Sequence, residues 1–304
     1  MINITRLKVL RELHRRGTLS AVAEHLCYST SAVSQQIRQL EREVGVSLVE
    51  PVGRRLHLTP QGIILVEHAA RILDLVEQAE ADISRSFEEP RGVLRLAAFQ
   101  SAAMTLVPRA VAILRELHPE LTVEFRQGEP EQTLPALQAA DLDLVIAEAY
   151  PGLPVPATPG IAFDHLLDDP LWLAMDEATF ASVDPGRNVI AQLASAGWAV
   201  EAADSVPRTW VVNQCRQHGF EPRIVCSSED LAVQLRFVEA GLAVAVLPRL
   251  ALDLATSSLR TLPASSEMES RQVLLAYREA ARNRTAVVAM RSALEQAAAT
   301  FASG

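Results

Sequence analysis

The chain has 304 residues, a formal net charge of −9, and 49% hydrophobic against 21% charged side chains. That is globular composition; it excludes a disordered or collagen-like chain and, at ~100–200 residues per domain, predicts two or three domains. Three cysteines (Cys27, Cys215, Cys226) are too few for a disulfide scaffold. No apolar run reaches the ~18 residues of a membrane span, and the start at Met1-Ile2-Asn3 lacks a basic stretch ahead of an apolar signal core. A cytoplasmic protein with no membrane partner is therefore expected. An acidic chain argues against nucleic acid as a partner, but the charge is uneven. Residues 1–65 carry nine basic and five acidic side chains, a balance of +4, which leaves −13 to the remainder. Such asymmetry points to a basic module joined to an acidic one.

Leu7, Leu10 and Leu13 mark one face of a first helix, ended by Gly17. Thr18 or Ser20 can cap a second, short helix through Val22, Ala23 and Leu26. After a break at Cys27-Tyr28-Ser29, Thr30 or Ser31 can cap a third helix, closed by Gly45. There Val33, Ile37, Leu40 and Val44 form a core stripe, while Ser31, Ser34, Gln35, Arg38 and Arg42 share another face. Hydroxyls, amides and guanidiniums are the groups that bond phosphates and base edges. Two short helices across a tight turn, the second with this face, predict a helix-turn-helix. Ser47–Glu50 and Leu56–Thr59 then read as a hairpin around a basic tip, Pro51-Val52-Gly53-Arg54-Arg55, suited to a minor groove.

Thr59-Pro60 starts a long helix. Leu65, Ala69, Ile72, Val76, Ala79 and Ile83 are spaced as heptad a and d positions, which predicts a dimerisation helix ending near Glu88–Gly92. From Val93 the rhythm becomes strand, helix, strand, helix, strand (93–98, 104–117, 122–126, 132–140, 142–147), the pattern of a doubly wound parallel sheet. Pro151–Pro159, with four prolines, is a loop. A second set follows: strands at 171–175, 198–200, 223–227, 242–247 and 271–277, helices at 208–218 and 230–240, and a last helix facing inward through Val287, Met290, Leu294, Ala297 and Phe301.

Ala21–Leu26, Ser31–Glu41, Gly45-Val46 and Leu58–Gly62 together resemble the amino-terminal signature of LysR-type transcriptional regulators. The likeness continues in Leu117–Leu121, Asp141–Ile146 and Val238–Pro248, and so covers nearly the whole chain in order. It implies an α+β multidomain protein: a winged helix-turn-helix DNA-binding domain at 1–59, a dimerising linker helix at 60–89, and a two-lobed α/β effector-binding domain at 90–304, similar to periplasmic solute-binding proteins. Lobe I would take about 90–163 and 267–304, and lobe II about 164–266. Implied partners are double-stranded operator DNA, a small-molecule effector in the cleft, a homodimer or homotetramer, and RNA polymerase. By position, Ser34, Gln35 and Arg38 would face the major groove, and Arg54 and Arg55 the wing. Where many relatives have Gln-Pro this chain has Thr30-Ser31, and Glu50-Pro51 replaces the usual Glu-Arg.

Ligands of open α/β sheets bind at strand carboxyl ends and helix amino termini. That places Gln100, Ser101, Gln127, Glu148, Asp204, Ser228 and Glu229 in the cleft, Gln100 and Ser101 first because the family contacts effector there. If Glu148 with Asp204 or Glu229 lines it, the effector is cationic. The rival readings are a redox regulator using Cys215 and Cys226, and an enzyme or binding protein on the same α/β fold. Against catalysis, no GxGxxG, P-loop or GxSxG stands at a strand-helix junction, and the seven histidines show no zinc spacing, so neither cofactor nor metal is expected.

Overall fold

The computed structural model describes residues 2–26, 28–52, 55–86, 89–252, 259–265 and 268–302. Contacts divide the chain into two compact units, Met1–Phe87 and Glu88–Gly304.

In the first unit, α1 (Ile4–Arg16) ends at Gly17, left-handed at φ 73°, a conformation that glycine adopts without the steric cost of a Cβ. Helix α2 (Leu19–His25) starts at Thr18, whose hydroxyl accepts from the Ala21 amide. Helix α3 (Thr30–Val44) is capped by Ser29 rather than by Thr30 or Ser31: the Ser29 hydroxyl accepts from the Ala32 amide at 3.1 Å. Ser29 is the residue with extended backbone just ahead of the helix, which is where a cap must stand. Val33, Ile37 and Leu40 bury against Leu7, Leu10, Leu13 and Val22 to form the core of this unit.

Strands β1 (Val49–Val52) and β2 (Arg55–Leu58) pair from Val49↔Leu58 to Val52↔Arg55. Pro51 and Val52 therefore extend a strand where a loop was expected. Proline lacks an N–H, and an edge strand tolerates that. Helix α4 (Pro60–Ser84) is tied to this hairpin. The Thr59 hydroxyl donates to the Ser47 carbonyl at 2.8 Å and accepts from the Gly62 amide at 3.0 Å. A Cβ at Gly62 would lie 2.2 Å from the Leu48 carbonyl oxygen, so the Thr59-Pro60-Gln61-Gly62 sequence needs its glycine for close approach.

The second unit begins β3 (Gly92–Ala98), α5 (Gln100–Leu117), β4 (Leu121–Gln127), α6 (Pro130–Gln138), β5 (Leu144–Ala149). These strands run parallel in the order β4-β3-β5. There follow β6 (Ile161–Met175), α7 (Glu177–Ser182), α8 (Val189–Gln192), β7 (Gly197–Val200), α9 (Val206–Gln217), β8 (Arg223–Ser227), α10 (Leu231–Glu239), β9 (Ala245–Pro248), α11 (Arg249–Leu252), β10 (Arg260–Pro263), β11 (Ser270–Arg278) and α12 (Thr285–Ala302). The sheet is mixed rather than wholly parallel, because β11 lies antiparallel between β5 and β6.

Strand β6 is the largest departure from expectation. It is fifteen residues long and starts at Ile161, not Leu171. Its first part pairs with β11 as far as Pro170; from Leu171 it pairs instead with β9 and β10. One strand thus serves both lobes, and the first crossover lies at Pro170 instead of between 163 and 164. Asp164, His165, Asp168 and Asp169 hide the strand by breaking its apolar alternation. Partners distant in sequence make the aspartates tolerable: Tyr277 and Arg291 hold Asp164, and Arg271 holds Asp169.

Burial in the first lobe follows the two-residue period of a strand. Leu94, Leu96, Leu144, Ile146, Val273 and Leu275 face α5 and α12, whereas Ala97, Val145, Ala147 and Ala276 face α6. The second lobe packs Trp198, Trp210 and Cys215 in one cluster, and Cys226, Leu231 and Leu235 in another.

Candidate functional site

Two surfaces carry the polar residues that sequence reading singled out. On α3 of the first unit, Thr30, Ser31, Gln35, Arg38 and Arg42 are exposed and Ser34 is half-buried. The Ser31 hydroxyl shares a 2.9 Å hydrogen bond with Ser29. Among the described residues Arg38 has no ion-pair partner, so its guanidinium remains available to an anion. Glu41, one turn on, holds the hairpin beside this helix: its Oε1 accepts from the amides of Leu48 at 2.8 Å and Val49 at 3.3 Å. Recognition helix and wing are thereby fixed to each other by a carboxylate that sequence reading had counted only as charge. Arg54 lies outside the described residues, and Arg55 is placed by its backbone at the start of β2.

The expected dimer seam on α4 divides. Ala69 is buried and Leu65 partly buried in the core of its own unit. Ile72 and Ile83 are exposed, together with Ile64 and Leu75, which the heptad reading omitted. At 100° per residue, Ile64, Leu75, Ala79, Ile72 and Ile83 lie within one stripe. The first unit claims the neighbouring face, which rotates the open seam from the one expected.

In the second unit a cleft lies between the lobes, lined by four glutamates (Glu129, Glu148, Glu201, Glu229) and two arginines (Arg208, Arg271). Its free volume of about 20 Å³ would hold one water. At its base is Arg271, 3% exposed. The guanidinium donates to Asp169 through Nε at 3.0 Å and Nη2 at 2.7 Å, to the Ser101 hydroxyl at 2.6 Å, and to Glu148 through Nη1. It also stacks over Phe99, 4.7 Å from the ring centroid. Burial opposes its charge, but Glu148 and Asp169 overcome this and hold its pKa above the usual value. Arg208 donates to the Glu201 carbonyl and the Ser227 hydroxyl.

Burial pushes Glu129 up to about 7 and Glu201 up to about 8, with the Glu148 charge the next cause in both. Burial likewise raises Glu148, against the pull of Arg271. These carboxylates share a volume that does not contain enough positive charge for all of them.

Of the residues expected in the cleft, Gln100, Ser101, Glu148 and Glu229 line it, while Gln127, Asp204 and Ser228 line neither it nor the larger cavity beside it. Gln127 is exposed at the end of β4, beside Ala98. Asp204 is exposed ahead of α9, where Ser205 provides the cap. Ser228 shapes its own turn by accepting from the Asp230 amide. The Ser101 hydroxyl accepts from Arg271 instead of capping α5, whose first turn already includes it. Gln100 reaches across the lobes: its amide donates to Asp230 at 2.9 Å and accepts from the Leu231 amide at 2.8 Å, clamping the start of α10. Arg271, Arg208, Glu201 and Glu129 are not among the residues that the sequence pattern singles out. Arg271 sits in an apolar strand, where its charge is the detectable signal; only the fold brings it to Glu148 and Asp169.

Comparison with known proteins bears on both surfaces. Residues 4–63 match the model of the bacterial regulatory helix-turn-helix protein, lysR family, and residues 87–299 match the LysR substrate binding domain. The chain belongs to the LysR-type transcriptional regulators. It is 27% identical over 247 residues to the transcriptional dual regulator GltC of Bacillus subtilis, covering 81% of each chain. It is 28% identical over 258 residues to the HTH-type regulator cbl of Klebsiella aerogenes, covering 81% of this chain and 77% of that one. A full-length OxyR variant from Pseudomonas aeruginosa shares the fold at TM-score 0.69 and 21% identity, over 97% of this chain and 95% of that one. Full-length CbnR in complex with its target DNA shares it at TM-score 0.54 and 20% identity, over 98% and 100%.

As a LysR-type regulator the chain has a DNA-binding first unit and an effector-binding second unit. The surface of α3 belongs to the former, and the cleft to the latter. The redox alternative meets a physical obstacle, since a thiolate is the reactive form of cysteine. Cys215 is fully buried and pushed up to about 12 by burial; Cys226 is also buried and raised for the same reason. They lie in different core clusters. Cys27 lies outside the described residues.

Proposed function

We propose that this LysR-type regulator acts in the cytoplasm. It holds operator DNA through Thr30, Ser31, Ser34, Gln35 and Arg38, with Arg54 and Arg55 on the wing. It assembles as a dimer or tetramer on the open face of α4, and it responds to a small cationic effector in the cleft. The observation that carries the effector reading is the state of Arg271. Its donors are taken by Asp169, Glu148 and Ser101, so a carboxylate effector would find that guanidinium engaged, whereas a cation would meet Glu129, Glu201 and Glu229.

Helix amino termini work in the opposite direction, because α5, α6, α9 and α10 all begin near the cleft residues. Each terminus carries about half a positive charge and is screened within a turn. Asp230 and Gln100 satisfy that of α10, and Ser205 caps that of α9. A cation that displaces the protons held by Glu129 and Glu201 would meet full carboxylate charges, which outweigh the half-charges of the α5 and α6 termini.

DNase footprinting on the DNA flanking its own coding sequence tests the first part. Arg38→Ala is expected to lose at least about tenfold in affinity, the value of a good base or phosphate contact, with unchanged melting. A wild-type footprint from that variant removes α3 from the DNA face. For the effector, calorimetric titration with arginine and putrescine is expected to show binding. Tight binding of succinate with none by either cation overturns the reading.

A further inference from the structure

Beside the closed cleft is a cavity of about 460 Å³, and the two share Glu129, Glu148, Glu201 and Pro207. Glu131, Thr158 and Ser205 also line it, and the rest of its wall is apolar. Leu134 and Pro135 of α6 form one side, and Leu153, Pro154, Val155 and Pro156 of the proline-rich loop form another. This loop is held by the fold. The Leu153 amide donates to the Tyr150 carbonyl at 2.9 Å, and the Gln138 amide donates to the Pro159 carbonyl at 3.2 Å. Leu153 packs on the core of the second lobe, and Val155 on that of the first. Proline fixes φ, so the wall keeps its shape before anything binds.

We propose that this cavity seats the apolar body of the effector, and that the effector is an amphipathic cation: an amine or guanidine with a hydrophobic substituent. The charged head meets the shared glutamates, while the substituent extends between α6 and the 152–158 loop. Such a molecule touches both lobes at once, through Leu134 on one side and Pro207 on the other. A small hydrophilic dication, by contrast, would leave the apolar walls wet. Ordinary ligand pockets combine an apolar lining with a few placed polar groups, and this cavity has both.

The proposal rests on the cationic reading of the cleft, and one titration series separates the two. The full chain is titrated with straight-chain amines from ethylamine to pentylamine, and with hexanoate as the anionic counterpart. Affinity is expected to rise about fourfold per methylene, the value of burying one CH₂ group, with no binding of hexanoate. Glu201→Gln is expected to weaken every amine by a similar factor. Pro154→Trp, a change at an exposed loop position, is expected to abolish the chain-length dependence. Amines that bind with one affinity whatever their length overturn the apolar seat and leave the cationic reading standing. Binding of hexanoate in preference to every amine overturns both.

Discussion

Each unit is built around a buried charge of the opposite sign to its neighbours, and the two centres mirror one another. In the first unit the centre is Glu12, completely buried within α1. Arg11, Arg15, Arg16 and His25 gather around its carboxylate at 3.0–3.9 Å. In the second it is Arg271, surrounded by Glu148, Asp169 and Ser101. An acid ringed by bases sits inside the unit that carries the basic DNA-binding face. A base ringed by acids sits inside the unit with the acidic cleft. A cluster of like charges is tolerable only around a counter-charge, so each centre lets its unit concentrate one sign.

Removing either centre is expected to have the largest effect. Arg271→Met would strand Glu148 and Asp169 in the interior, and the second unit is expected to lose about 3–5 kcal/mol, the cost of breaking a buried pair from one side. Denaturant unfolding of the full chain, read by the tryptophans, measures it: Trp172, Trp198 and Trp210 all lie in the second unit. Glu12→Ala is expected to cost the first unit a comparable or slightly smaller amount, since its cations are partly exposed and can turn to water. Far-ultraviolet circular dichroism would follow that loss. A change under about 1 kcal/mol in either variant would demote that centre to a surface-like ion pair.

A milder test uses pH. Glu129 and Glu201 are raised to about 7 and about 8, from 4.5. The folded unit therefore keeps protons that the unfolded chain has released, and their stabilising contribution is complete below pH 4.5 and lost as pH rises from there through 7 and 8. The melting temperature of the second unit is expected to fall over that range. Affinity for an amine is expected to rise over the same range, with protons released on binding. Calorimetry in phosphate and Tris, buffers that differ in ionisation enthalpy, detects them. A melting temperature that rises from pH 5 to 8.5 would contradict the assignment.

The smallest effect belongs to Gln100→Ala. It removes two hydrogen bonds between the lobes, each about 1 kcal/mol, and is expected to leave the fold intact. Because it clamps the start of α10 when the cleft is closed, the variant is expected to relax the lobes. Hydrogen exchange at the Leu231 amide reads this directly, and protection equal to wild type would show that the clamp does not hold the lobes.

The helix-turn-helix was legible because its determinants are local. Gly17, Thr18, Gly45 and Thr59 mark helix ends within a few residues of the groups they satisfy, and the buried stripe of α3 has a helical period. The α4 seam was legible as a pattern, but not in its rotation. Which apolar face stays open depends on what α1 covers, and Ile64 and Leu75 emerge only once Leu65 and Ala69 are packed. In the cleft, Gln100, Ser101, Glu148 and Glu229 followed from their places at strand ends and helix starts. Gln127, Asp204 and Ser228 occupied similar places in sequence but not in space.

Sequence alone settled the order of the elements with a clear period, the opposite charges of the two parts and the kinship of the whole chain, since each is written in residues near one another or in their sum; the short α7, α8, α11 and β10 stayed hidden. Tertiary structure decided what the charges do. Asp169 and Arg271 are 102 residues apart, and Glu148 and Arg271 are 123 apart. A carboxylate in a strand reads as a flaw until its partner arrives from elsewhere in the sheet. Only that pairing shows which charges neutralise each other in the interior and which remain to meet a ligand, because the cost of a buried charge is fixed by its neighbours in space.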